Sequence, residues 1–102
     1  MQFIIIAHDG EDEGALARRL AARDDHLALS SAAVKTGEQI IGAAMLDDTG
    51  IMNGSVMIVD FPSRKEVDAW LTREPYVRGE VWKKIEVIPC KVGPAFGHLV
   101  KK

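Results

Sequence analysis

Of the three histidines in the chain, His26 has the surroundings best suited to proton chemistry. It follows Arg23-Asp24-Asp25, which reads as the first turn of a helix, where the positive end of the dipole disfavours imidazolium and favours the neutral base. The plainer alternative is a partly buried histidine that bonds a neighbouring acid such as Asp24 and caps its helix. Glu74, just ahead of Pro75-Tyr76, has the chemistry to orient an imidazole and stabilise its cation, or to take a proton itself. Equally, it reads as a solvated loop acid. Asp9 sits beside Gly10, in a setting where aspartate commonly bonds nearby backbone. Ser55 has no G-x-S-x-G elbow around it, so it reads as a hydrogen-bond donor to a ligand or to backbone rather than a nucleophile. Tyr76 and Trp82 are suited to walling a pocket for an aromatic ligand, and equally to packing in a core or dimer.

Other reactive types carry less. His8 and His98 have no companion His or Cys at ligand spacing, and no metal site is expected. Cys90 is the single cysteine, so it has no internal disulfide partner and reads as a packing residue. The acidic run Glu11-Asp12-Glu13 lacks the alternation, the glycine and the terminal glutamate of a calcium loop, and reads as a solvated face.

The elements that must position these residues follow from periodicity. Residues 2–8 (QFIIIAH) form a strand stopped by Asp9-Gly10. Residues 11–22 read as a short, partly exposed helix or ordered loop, and a second helix starts near Arg23 and ends at Gly37. Residues 39–46 form a second strand, followed by a turn cluster at Asp47-Asp48-Thr49-Gly50. Asn53-Gly54 is a further turn signal, and residues 55–61 form a third strand. Ser63 with Glu66 three residues later reads as a capping box for a helix from Arg64 to about Leu71, carrying Val67, Trp70 and Leu71 as its apolar stripe. A short helical turn reaches Gly79, residues 81–88 form a last strand, and residues 93–102 read as a tail.

Strand, helix, strand, strand, helix, strand is the order of the α+β, ferredoxin-like split βαβ sandwich, with both helices on one face of a four-stranded antiparallel sheet. The other face would be bare and, because FIIIA and VMIV are apolar on both sides, a homodimer packed sheet to sheet is expected. The topology brings Asp9, Met45, Ser55 and Glu74 to one rim, and His26 with them if its helix starts near Arg23. With 102 residues, 47% of them apolar, the chain supplies one modest core. A net charge of −2 with acids and bases mixed gives no basic stripe, so nucleic acid is not an expected partner. No apolar run approaches the roughly 20 residues that span a bilayer, and no basic leader precedes the first strand. A cytoplasmic protein without membrane contact is the expectation.

Together, Asp9, Arg23-Asp24-Asp25-His26-Leu27, Gly54-Ser55, Glu74-Pro75-Tyr76 and Val81-Trp82 resemble the YciI-like family. Its members carry an Asp after the first strand, R-P-x-H-L, G-S at the third strand, D-P-Y and an aromatic-rich last strand. The resemblance covers about residues 1–96, leaving 97–102 as a tail. It implies a dimeric α/β barrel with a His and carboxylate site at the rim, and the family includes a dehydrochlorinase acting on a chlorinated hydroxyquinol. Three positions depart: Glu74 replaces the Asp of D-P-Y, Asp24 replaces the Pro of R-P-x-H, and Gly42-Ala43-Ala44 stands where A-G-P often ends the second strand. The carboxylate survives one methylene longer.

The leading expectation is a cofactor-independent lyase or isomerase that moves a proton on a small cyclic or aromatic hydroxylated compound. His26 is its base, Glu74 and Asp9 are its acids, and Ser55, Tyr76 and Met45 contact the substrate. A noncatalytic dimeric module binding a small ligand or a protein is the alternative. Oxygen-dependent monooxygenase chemistry, suggested by shared architecture alone, is a third.

Overall fold

The computed structural model describes residues 1–101. Its elements run β1 (Gln2–Asp9), α1 (Ala15–Thr36), β2 (Gln39–Leu46), β3 (Met52–Asp60), α2 (Arg64–Leu71), α3 (Pro75–Arg78) and β4 (Trp82–Cys90), followed by a 3-10 helix over Pro94–Leu99. The four strands form one antiparallel sheet in the order β2-β3-β1-β4. This is the ferredoxin-like α+β arrangement.

Alternation along β1 decides the two faces. Phe3, Ile5, Ala7 and Asp9 are buried on the helix side, and their partners Val59, Met57 and Ser55 on β3 are buried with them. The helices close over this face: α2 brings Val67, Trp70 and Leu71, with Trp70 packed 5.8 Å from Phe61, and α3 with the start of β4 brings Tyr76, Val81 and Trp82. The opposite face, carrying Ile4, Ile6, Ile41, Val56, Ile58 and Ile88, has no α-helix over it; Phe96 and Leu99 of the 3-10 helix border a cavity with Ile4, Ile41 and Ile58, and Ile41 remains 53% exposed. A face of this size and composition on a small domain is unusual without a covering partner.

The long helix is where structure and expectation differ most. α1 is one uninterrupted helix of 22 residues, and it starts at Ala15, after Glu11-Asp12-Glu13 rather than within them. Between Ala15 and Thr36 there is no Gly or Pro, and seven of the residues are alanine, so nothing in the backbone opposes continuation through Asp24-Asp25. Those two acids are exposed on the outer face. His26 is therefore in the middle of the helix, and the dipole has no special claim on it. Gly37 does end the helix, at a φ of 83°.

Smaller corrections share a theme of local signals outvoted by packing. Asn53-Gly54 is not a turn but part of β3, and the β2–β3 turn is formed earlier, where the Asp47 carboxylate accepts the N–H groups of Thr49 and Ile51 and Gly50 takes a φ of 87°. Gly54 serves instead a close strand approach: a Cβ there would lie 2.6 Å from the Ala7 carbonyl oxygen. Ser63 precedes α2, but its hydroxyl donates to the Glu66 carboxylate rather than accepting a backbone N–H, so the two residues pair through their side chains. β4 runs two residues beyond Ile88, and Pro89 within it is tolerated because β4 is an edge strand. Residues 94–99, read as tail, form the 3-10 helix, and the Lys101 ammonium donates to the Val34 carbonyl; Lys102 lies outside the described residues.

Gly54→Ala is expected to cost about 1–3 kcal/mol of stability in urea unfolding, the range for forcing atoms into a packed interior. A loss under half of that would show that β1 and β3 do not need the close approach.

Candidate functional site

Two hydrogen-bonded groups meet at the rim where β1 ends and β3 begins. The first is built on Asp9, the last residue of β1. Its carboxylate accepts from Arg19 Nη1 at 2.9 and 3.1 Å, and Arg19 Nη2 donates to Ser55 Oγ at 2.9 Å. Asp9 and Arg19 side chains are each 3% exposed, so this is a buried ion pair. Burial raises the Asp9 carboxyl from its ordinary value, with the Arg19 guanidinium working against that rise. Ser55 Oγ accepts from Arg19, which leaves the serine's own proton free for another acceptor.

The second group is Glu74, which caps the N-terminus of α3 and is fully buried. Its Oε1 accepts the Tyr76 backbone N–H at 3.1 Å and lies 2.7 Å from His26 Nδ1. The imidazole is held on its other sides as well: Tyr76 stacks on it with ring centroids 4.0 Å apart and planes 16° from parallel, and Trp82 meets it edge-on at 6.2 Å. Arg19 Cζ sits 4.6 Å from the Tyr76 ring centroid, so the two groups share one aromatic wall. Burial raises the Tyr76 phenol above its usual value, with Arg19 opposing, and the ring stays neutral at pH 7.

Arg19 Nε, Glu74 Oε2 and Trp82 Nε1 are the sealed side-chain atoms without a hydrogen-bond partner among the described residues. All three belong to this cluster. Concentrating unsatisfied polar atoms around one imidazole costs stability.

The groups face a cavity of about 340 Å³ between α1 and the β2–β3 hairpin. It is lined by Arg19, Arg23, His26, Ser55 and Tyr76 on the rim side and is bounded by the small residues Gly42, Ala43 and Ala44 of β2. That volume is at the lower end for ligand pockets and fits a single substituted ring. With Nδ1 on the carboxylate, Nε2 is the nitrogen left for a ligand. In a neutral imidazole, a carboxylate acceptor at Nδ1 places the proton there and leaves the lone pair on Nε2.

Among the residues read from sequence, His26, Glu74 and Tyr76 come into direct contact, and Asp9 and Ser55 meet through Arg19. Asp9 therefore faces Arg19, not the imidazole. Met45 is the exception: Ala44 of β2 faces the cavity, alternation turns Met45 to the other face, and its side chain lies over Gly54. It does not line the cavity. Arg19 was absent from the sequence reading as a site residue. It is seven residues before His26, two turns on one helix face, a signal visible only when α1 is continuous.

The YCII-related domain matches residues 1–91. This chain belongs to the YCII-related family. Protein YciI of Escherichia coli O6:H1 strain CFT073 is 31% identical over 97 residues, spanning 89% of this chain and 97% of that one. Among solved structures, this YCII-related chain is similar to the 5-chloro-2-hydroxyhydroquinone dehydrochlorinase TftG of Burkholderia phenoliruptrix AC1100, solved in complex with 2,5-dihydroxybenzoquinone. The TM-score is 0.78 at 24% identity, covering 93% of this chain and 98% of that one. It is also similar to a dimeric ferredoxin-like protein from Jannaschia sp. CCS1, at a TM-score of 0.54 and 14% identity over 89% and 98% of the two chains. Both likenesses show the shared fold.

Arg19→Met leaves Asp9 buried without its partner, and the expected loss is about 3–5 kcal/mol in denaturant unfolding. Adding Asp9→Leu to the same chain should recover most of it. A double variant no more stable than the single one would show that the pair is not coupled.

Proposed function

We propose that this YCII-related protein is a cofactor-independent enzyme that moves a proton on a small, cyclic, hydroxylated or carbonyl compound. The observation that carries the reading is the 2.7 Å contact between His26 Nδ1 and the buried Glu74 carboxylate at the wall of a cavity of ring size. His26 Nε2 takes a proton from a substrate O–H or from a carbon beside a carbonyl. Glu74, one hydrogen bond behind, holds the tautomer and stabilises the imidazolium that results. Negative charge then develops on a substrate oxygen. The Ser55 hydroxyl proton and the guanidiniums of Arg19 and Arg23 supply donors and positive charge on the same cavity wall. Return of the proton to a different atom gives isomerisation, and departure of a leaving group from the anion gives elimination, with the proton left on His26.

The likeness to TftG supports a hydroxylated quinoid ring as the first substrate class to test, since that neighbour was solved with 2,5-dihydroxybenzoquinone. The Glu74 side chain, longer than aspartate, still reaches the imidazole because α3 begins at Pro75 and places the carboxylate as its cap.

The reading includes a homodimer formed through the open sheet face. The apolar row Ile4, Ile58 and Ile88 crosses that face with no α-helix over it, and the Jannaschia neighbour is described as dimeric. Ile4→Lys, at the centre of the row, should shift sedimentation from dimer to monomer while far-UV circular dichroism is unchanged. A wild-type chain that sediments as a monomer removes this part of the proposal.

With a panel of chlorinated and hydroxylated hydroquinones, His26→Ala is expected to lower turnover by roughly 10²–10⁴-fold while the fold is retained. Glu74→Gln, which keeps the volume and removes the charge, should fall in the same direction. Undiminished turnover in His26→Ala on any substrate of the wild type would sink the mechanism.

A further inference from the structure

The His26–Glu74 pair and the Arg19–Ser55 donors occupy one end of the cavity. The other end contains Ser30, Gln39 and Gly42, which the proton transfer does not use. In a regular strand residues 39 and 42 face opposite sides of the sheet. Here they do not, because Gln39 pairs with Val59 while Ile41 pairs with Ile58, leaving Ile40 as the extra residue of a β-bulge. Gln39 and Gly42 thus share the cavity side, opposite Val59 and Met57.

The glycine makes room for the glutamine. Gln39 is only 4% exposed, and its side chain lies over Gly42, where a Cβ would meet Nε2 at 2.6 Å. Ser30, one turn beyond His26 on α1, donates its hydroxyl to Gln39 Oε1 at 2.7 Å. That bond orients the amide and engages its oxygen. Nε2 has no hydrogen-bond partner among the described residues, and it is not among the atoms sealed from the cavity. A buried side chain whose amide is clamped at its oxygen and presents an unused N–H₂ to the cavity is an oriented donor for an acceptor placed there.

We infer that Gln39 Nε2 is a second anchor of the binding cavity, donating to a carbonyl or phenolate oxygen on the side of the ring remote from Ser55. The inference rests on the reading of this cavity as a substrate pocket and narrows its substrate class. Gly42 is opposite Met57, two residues along β3 from Ser55, so the two anchor points are separated by about 7 Å along the strand. Two oxygens on one six-membered ring bridge such a span with a hydrogen bond at each end, whereas a single oxygen does not. The class selected is a ring carrying at least two oxygens.

The chain contains two glutamines and one asparagine, so a ¹⁵N-correlated proton spectrum holds three side-chain amide pairs, and the pair missing in Gln39→Leu identifies the anchor. Adding 2,5-dihydroxybenzoquinone should move that pair. Gln39→Leu should weaken 2,5-dihydroxybenzoquinone binding roughly three- to tenfold. Gln39→Glu, which turns a donor into an acceptor against an anionic ligand, should weaken it further. Gly42→Ala keeps every polar group and displaces only the amide, so it should repeat the loss even if Gln39→Leu folds poorly. A Gln39 pair that stays still at saturating 2,5-dihydroxybenzoquinone, or equal affinities for wild type and all three variants, overturns the anchor. The outcome is separable from the mechanism: a moving Gln39 pair with full turnover in His26→Ala removes the base and keeps the anchor, and the opposite pattern does the reverse.

Discussion

The fully buried carboxylate of Glu74 is the constraint on which the rest of the rim depends. A carboxylate removed from water must be surrounded by donors, and this one receives a backbone N–H from its own short helix and an imidazole N–H from α1. The bond therefore does two jobs with one oxygen: it docks the middle of the long helix against α3, and it decides which nitrogen of His26 is free. Tyr76, placed two residues after Glu74 by the same cap, supplies the flat surface on which the imidazole lies. Position, tautomer and ring orientation of the histidine follow from one side chain.

Arg19 extends the same logic across the sheet. Its fork spans the end of β1 and the start of β3 through Asp9 and Ser55, while its plane lies near Tyr76. A buried ion pair of this kind contributes little net stability compared with apolar packing, because both ions are stripped of water. At the cavity wall the pair holds the guanidinium in one orientation. The unsatisfied Arg19 Nε, Glu74 Oε2 and Trp82 Nε1 belong to the same trade, in which stability is given up within one cluster while Phe3, Ile5, Val59, Val67 and Trp70 form a core without such defects.

Much of the fold was legible because strands with one buried face announce themselves by alternation. β2 falls on residues 39–46 and α2 on 64–71, the ranges that periodicity and the proline-serine start suggest. α1 was harder to read. Its alanines and arginines give no strong apolar stripe, and Asp24-Asp25 mimic a helix start in the middle of one. Splitting it there assigned the neutrality of His26 to a helix end, when the imidazole is instead governed by a carboxylate 48 residues away in sequence. The same split hid Arg19. Met45 shared the rim by topology, yet parity along β2 turned it to the far side, and the bulge at Ile40 that re-aims Gln39 has no signature in residue type. Contacts that cross from one element to another are what local pattern cannot supply.

Arg19, Arg23, His26 and Ser30 occupy positions i, i+4, i+7 and i+11 of one unbroken helix, all toward the cavity. The helix thus acts as a ruler, and its graduation is set by 3.6 residues per turn. Inserting or deleting a single residue between Arg19 and His26 would leave a perfectly good helix and rotate everything beyond it by about 100°, carrying the imidazole off its carboxylate and Ser30 off Gln39 together. In homologous chains that keep this site, the segment from 19 to 30 is free to vary in composition on its outer face but not in length.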